Sequence, residues 1–167
     1  MTRSKTLIFI AVFLFSTLAQ ALFHFEPGIG YNRGHYNTNK LQGIGLTVKT
    51  GVEFQKFFLL ADVGYHDLQL GSTPTSTATD MGLAIGGDFK KWRFWFTYIA
   101  AADLKTESGG VSSTRKGDGI KLGISGNITG DAYVNLEMRF IDFNDADGTP
   151  VTEFMDAGFI SVSWVLF

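Results

Sequence analysis

From Phe23 onward the chain alternates between apolar and small or polar residues with a period of two, in eight segments of about ten to fourteen residues each. That is the period of a β-strand whose two faces meet different surroundings. The first segment, about 23–32, sets Phe23, Phe25, Ile29 and Tyr31 against His24, Glu26, Gly28, Gly30 and Asn32. The second, about 41–54, sets Ile44, Leu46, Val48, Val52 and Phe54 against Gly43, Gly45, Thr47, Lys49, Gly51 and Glu53. The pattern repeats over about 57–68, 79–89, 92–103, 117–128 and 132–143, with Asp62, Asp80, Asp88, Arg93, Asp103, Lys121, Glu137 and Arg139 on the polar side. The eighth segment, about 153–167, mixes its phases: Phe159 and Val165 fall on one side and Ile160, Val162, Trp164 and Leu166 on the other, so the pattern assigns it no facing, and a bulge would restore one.

The connections predicted between these segments alternate in length. Those near 55–56, 90–91 and 129–131 are two or three residues long, whereas those near 33–40, 70–78, 104–116 and 144–152 are longer and rich in Gly, Ser, Thr, Asn and Asp. Short turns at one end and long polar loops at the other, with an even strand number, are the arrangement of an outer-membrane barrel. The bulk of the two faces favours the same reading over a soluble sandwich. Phe, Leu, Ile and Val dominate one face and Gly, Ala, Ser and Thr the other, where a water-exposed surface would carry more Lys and Glu. The fold class expected is therefore all-β, an eight-stranded antiparallel up-and-down transmembrane β-barrel.

The first 21 residues do not share the pattern. Arg3 and Lys5 precede an apolar run from Leu7, and the stretch closes on Ala19-Gln20-Ala21, the order of a cleavable signal peptide. Residues 22–167 then form the barrel domain. Removing 1–21 takes away two of the 14 basic and none of the 16 acidic residues, leaving a net charge of -4. An acidic chain is a poor nucleic-acid binder. The chain has no cysteine, so no disulfide can brace an exported fold.

Eight strands enclose a space that side chains just fill. By parity Glu26, Lys49, Glu53, Asp62, Asp80, Asp88, Arg93, Lys121, Glu137 and Arg139 enter it, and pairing among them is expected because a lone buried ion costs several kcal/mol. Aromatic residues gather at both ends of the apolar face. Phe54, Phe57, Phe89, Trp92, Phe94, Tyr133 and Trp164 lie near the short turns, and Tyr31, Tyr65, Tyr98 and Phe140, with Phe143 and Phe154, near the long connections. They are candidates for two interfacial girdles.

With these features the C-terminal Trp164-Val165-Leu166-Phe167 makes the chain resemble the small outer-membrane barrels of the OmpA/OmpX type. The resemblance covers residues 22–167 and is architectural. It implies an integral outer-membrane protein in contact with lipid and lipopolysaccharide, with Phe167 similar to the terminal signal read by the barrel-assembly machinery. Ser161 and Ser163 depart from the bulky alternation usual in that signal.

Dedicated chemistry is sparse. His24, His35 and His66 are scattered, none with a partner at metal-ligand spacing, and the Gly28-Ile29-Gly30 and Gly43-Ile44-Gly45 glycines lie within strands and not between a strand and a helix. The acidic run Asp142 to Gly148 fails the EF-hand spacing, because Phe143 stands where the first ligand belongs. No cofactor or metal is expected. The leading expectation is a non-enzymatic barrel whose four external loops serve a structural, adhesive or surface-interaction role, with an extracellular ligand as one partner. Three alternatives stay open: a narrow channel for ions or small solutes, a lipid A-modifying enzyme drawing on His35, Asp67, Ser72, Glu107 and Ser108, and a secreted soluble lipocalin-like barrel. Burial of Leu46, Leu83, Phe96 and Leu136 in a common centre would mark the last.

Overall fold

A computed structural model describes residues 22–71 and 73–166, without the side chains of 73–75 and 108. The signal-peptide segment 1–21, Ser72 and Phe167 lie outside the described residues. The chain forms eight strands: β1 (Leu22–Tyr36), β2 (Asn39–Phe54), β3 (Phe57–Leu70), β4 (Thr73–Phe89), β5 (Trp92–Ser108), β6 (Val111–Thr129), β7 (Ala132–Ala146) and β8 (Thr149–Trp164). Each pairs antiparallel with its sequence neighbour, and β8 closes on β1 along Gly28↔Ser163 to Tyr36↔Met155, giving an up-and-down closed barrel. Closure satisfies the edge hydrogen bonds that an open sheet would leave free.

Leu46, Leu83, Phe96 and Leu136 share no centre. They point outward, 41–54 % exposed, so the apolar faces look away from the barrel and the lipocalin-like alternative is overturned.

The four long loops expected from the sequence are absent. The strands run through those segments and end in two-residue turns at 37–38, 109–110 and 147–148, while β3 runs to Leu70 and β4 starts at Thr73. Left-handed residues make such turns compatible with strand twist. Asp147 (φ 51) and Gly148 (φ 84) form the Asp-Gly pair favoured in a type I′ hairpin.

The sequence pattern breaks there because the chemistry of the two faces inverts while the strands continue. On β3 the outward series Phe57, Leu59, Val63, Tyr65 passes to Asp67 and Gln69, and the inward series Asp62, Gly64, His66 passes to Leu68 and Leu70. On β7 outward Leu136, Met138 and Phe140 give way to Asp142 and Asn144, while inward Glu137 and Arg139 give way to Ile141 and Phe143. The outward polar residues Arg33, Gln42, Asp67, Thr79, Asp103, Asp118, Asp142 and Asp156 mark this boundary, one on each strand. Phe143, placed with the girdle aromatics by its position, is thus interior.

On β5 the inversion coincides with a bulge. The register slips between Ile99 and Ala102, so Ala102 and Leu104 point inward and Asp103 outward, the reverse of the facing expected for Asp103. Strand β8 needs no bulge against β1: Met155, Ala157, Phe159, Ser161 and Ser163 all face inward in one phase. Its pattern misled because Phe159 is a large aromatic on the interior side.

Candidate functional site in the barrel interior

The interior holds two layers. The first, on the side of the chain termini, is ionic. Arg93 on β5 grips Asp88 with two bonds, from Nε to Oδ1 (2.6 Å) and from Nη2 to Oδ2 (3.1 Å), and reaches across to Glu26 on β1 through Nη1 (2.9 Å). The bidentate fork is the strongest form a carboxylate pair takes. The guanidinium also lies over the rings of Phe58 and Tyr133, 5.2 and 4.7 Å from their centroids. Tyr133 therefore belongs to the interior and not to an outer girdle, since it shares the parity of Asn135, Glu137 and Arg139. Both ring nitrogens of His24 face carboxylate oxygens, Nδ1 to Glu53 (3.1 Å) and Nε2 to Glu26 (3.0 Å).

Deeper in, Lys121 and Lys49 meet the acidic side chains of three strands, β3, β4 and β7. Lys121 Nζ lies 3.0 Å from Asp62, 3.0 Å from Asp80 and 3.7 Å from Glu137, and Lys49 Nζ lies 2.7 Å from Glu137. Arg139 Nη1 donates to Asp80 at 3.0 Å, and its Nη2 donates to the Asn32 carbonyl. Asn32 in turn donates to His66 Nδ1, whose Nε2 donates to Asp80, so His66 is the neutral link of a ring. Three cations here balance three carboxylates, which is what burial without water requires. Saturation is incomplete among the described residues: Asp62 Oδ1 and Glu137 Oε2 accept no hydrogen bond, and Arg139 Nε donates none.

Glycines make room for these large groups. A Cβ on Gly123 would lie 2.0 Å from the Trp95 ring, and one on Gly45 would lie 2.1 Å from His66 Nδ1. The inward aromatics Phe58, Trp95 and Phe159, and the linking roles of His24, Asn32 and His66, were not singled out from the sequence. For Phe58, Trp95, His24, Asn32 and His66, inward parity opposite a glycine was the signal that could have found them; Phe159, opposite Asn32 and Glu137, lacks it.

The second layer, past the boundary, is apolar. Tyr36, Leu41, Leu68, Leu70, Ile99, Leu104, Ile141, Phe143 and Met155 pack into one buried cluster, with Tyr36 edge-on to Phe143 at 5.9 Å. Arg115 caps it. Its Nε donates to Glu153 (3.0 Å), which also accepts from Tyr36, and its Nη1 donates to Thr106 (2.9 Å). Burial and the bond to Glu153 push the Tyr36 phenol well above its ordinary range.

Outward from the barrel, Tyr31, Phe57, Tyr65, Phe89, Trp92, Phe94, Tyr98 and Trp164 are exposed, and Phe54 and Phe140 are half-exposed on the same face. Of the residues weighed for lipid A chemistry, Ser72 and the Ser108 side chain lie outside the described residues, and the described ones are not joined. His35 lies 3.7 Å from Asp156, Glu107 pairs with Lys105 at 2.9 Å, and no hydrogen bond or ion pair joins His35, Asp67 and Glu107 to one another. Among the described residues no group of three or more His, Asp or Glu could hold a metal ion.

No protein-family model matches the chain, and no curated protein matches it in sequence. Solved structures do match its fold. Neisserial surface protein A aligns at 12 % identity over 86 % of this chain and 97 % of its own, with a TM-score of 0.59. Ail, the attachment invasion locus protein of Yersinia pestis, aligns at 9 % identity over 86 % and 98 %, also at 0.59. The outer membrane protein OprG from Pseudomonas aeruginosa aligns at 12 % over 86 % and 95 %, at 0.54. The chain therefore has the fold of the small eight-stranded outer-membrane barrels.

Proposed function

We propose that this chain, with residues 1–21 removed on export, is an integral outer-membrane barrel. It is non-enzymatic and non-conducting, and it carries a rigid β-extension beyond the outer leaflet whose hairpin tips serve a structural or adhesive role. The observation that carries the proposal is the inversion of the two faces along continuous strands. Below the boundary bulky apolar side chains face out and ions face in; above it polar side chains face out and Leu, Ile, Phe and Met face in. The lower half is built for surrounding lipid and the upper half for surrounding water.

The dimensions agree. From Phe57 to Tyr65 the outward apolar series of β3 covers roughly 26 Å at about 3.3 Å per residue. A strand tilt of about 40° brings this to about 20 Å, close to the apolar band of about 25 Å in such barrels. In this placement Phe54, Phe57, Phe89, Trp92, Phe94 and Trp164 form the periplasmic girdle, and Tyr31, Tyr65, Tyr98 and Phe140 the outer one. Lipopolysaccharide surrounds the outer girdle, and Phe167 serves recognition by the assembly machinery. The channel reading conflicts with the packed cluster of Tyr36, Leu41, Leu104, Phe143 and Met155, which closes the lumen over the ion pairs.

Fractionation with a heat-shift gel and planar-bilayer recording tests this together. Expected are an outer-membrane location, a band that shifts only on boiling, and no unitary conductance. Recovery of folded protein in the soluble fraction, or steady conductance through the wild-type barrel, would refute it.

A further inference from the structure

The membrane-facing surface is not uniform. On the β4–β7 wall the outward side chains of Phe94, Phe96, Leu122, Ile124, Leu136 and Met138 border an apolar groove of about 520 Å³. Beyond the groove toward the chain termini, the Trp92 ring lies beside Gly126, 3.3 Å from where a Cβ would stand. Immediately below is the β4–β5 turn, Lys90-Lys91. It is tied to β6 by Asn127 N–H donating to the Lys91 carbonyl (3.0 Å), and the β2–β3 turn is tied to β4 by Asp88 N–H donating to the Lys56 carbonyl (2.7 Å).

Three lysines, Lys56, Lys90 and Lys91, thus stand exposed on adjoining turns. None of their ammonium groups has an ion pair or hydrogen bond within the described residues, and the nearby carboxylate Asp88 is held by Arg93. Asp131 is the single acidic residue on the turns at this end, whereas the outward boundary at the other end carries Asp67, Asp103, Asp118, Asp142 and Asp156. The exposed turns where the groove opens thus carry three lysines against one carboxylate.

We infer that this groove is a binding site for an anionic phospholipid of the periplasmic leaflet, its phosphodiester held by Lys90 and Lys91 and one acyl chain laid between Phe96 and Met138. The inference rests on the membrane placement proposed above. Charge complementarity selects the headgroup, since zwitterionic lipid gains little from three uncompensated ammonium groups. The length selects the chain. Lys91 to Phe96 is roughly 17 Å along the strand at about 3.3 Å per residue, or about 13 Å across the membrane after tilt, close to the ~15 Å depth of one leaflet.

The test titrates the delipidated, detergent-solubilised full chain with phosphatidylglycerol or with phosphatidylcholine of the same acyl chains, read by native mass spectrometry. Phosphatidylglycerol should bind more tightly, and high salt should remove the difference. Lys90→Gln with Lys91→Gln should weaken phosphatidylglycerol about 30-fold, from roughly 1 kcal/mol per lysine, and leave phosphatidylcholine unchanged. Leu122→Trp, which fills the groove, should weaken both. Equal affinity of the wild type for the two lipids overturns the inference, as does a lysine variant that binds phosphatidylglycerol as well as wild type, or a groove taken up by a second copy of the chain. A heat-shift gel on the same wild-type sample separates the two levels: no shifted band defeats the membrane placement, and a shifted band without lipid preference defeats the lipid site alone.

Discussion

Replacing Lys121 by methionine probes the ionic layer at its most connected point. The side chain is fully buried and its Nζ touches Asp62, Asp80 and Glu137. Methionine keeps the length and most of the volume, so the packing loss is small. The charge loss is not, because it leaves Asp62, Asp80 and Glu137 facing only Lys49 and Arg139. Removing one partner of a buried pair costs about 3–5 kcal/mol, a large share of the 5–15 kcal/mol that holds a typical domain. Asp62 has the fewest other ties, with Thr97 donating to it at 3.1 Å, so Asp62→Asn in the same chain should restore charge balance and recover a substantial part of the loss. Urea unfolding from lipid vesicles, followed by tryptophan fluorescence and the heat-shift gel, measures both variants. If Lys121→Met is as stable as wild type, the carboxylates are solvated, the lumen is wet, and the sealed interior is wrong.

Other outcomes follow from the same geometry. Leu122→Arg, on the outward face below the boundary, should cost about 2–4 kcal/mol in vesicles, whereas Gln69→Arg, outward above it on β3, should change stability by less than about 0.5 kcal/mol. Phe143→Ala should cost about 3–5 kcal/mol, expressed as protease sensitivity of the β-extension while the membrane part keeps its heat shift. Gly123→Ala places a Cβ 2.0 Å from the Trp95 ring and should destabilise by about 1–3 kcal/mol, with partial rescue by Trp95→Leu. The Asp147 carboxyl at the β7–β8 tip accepts from the Ser113 hydroxyl and from Thr114 N–H at 2.9 Å, which holds its pKa below the ordinary aspartate value. A lowered folded pKa means that its contribution to tip order is full above the unfolded value and is lost as pH falls through the folded one. The Thr114 amide resonance should therefore titrate below the normal aspartate midpoint, and a normal or raised midpoint would count against the contact.

Strand number, order and facing within the apolar band were legible in the sequence because burial there follows one rule, bulky out and small or charged in, for at least four alternations per strand. Phe57 to Tyr65 and Trp92 to Tyr98 keep the outward half of that rule without interruption, and Phe58, Leu60 and Trp95 are its inward exceptions. The extension was not legible as strand. Its alternation persists with the opposite sign, so Leu68 follows Tyr65 out of phase, and Ile141 and Phe143 follow Phe140 out of phase. Period alone reads such a switch as the end of a strand. Polar Asp, Asn, Ser and Thr on the new outer face then resemble loop composition, although here they are the wet side of a sheet. Among the interior ions parity placed the members but not the partners. Arg93 with Glu26, or Lys49 with Glu137, joins strands whose separation depends on register and on the bulge at Ile99–Ala102, which one residue of slip would rearrange. His66 was invisible as a network member because it is defined by Asn32 and Asp80 from other strands, and His24 because its link to Glu53 crosses to β2 while Glu26 lies two residues along its own strand.

The inversion of faces is tested most directly by reporting solvent residue by residue along one strand. The chain has no native cysteine, so single cysteines at Phe94, Phe96, Tyr98, Asp103, Lys105 and Glu107 of β5 can each carry a lone nitroxide. In vesicles, oxygen should broaden the labels at 94, 96 and 98 more than a water-soluble nickel reagent does, and the preference should reverse between 98 and 103. Nickel accessibility at 96 equal to that at 105, or lipid-like accessibility continuing through 107, would contradict the placement of lipid outside the lower half and water outside the upper.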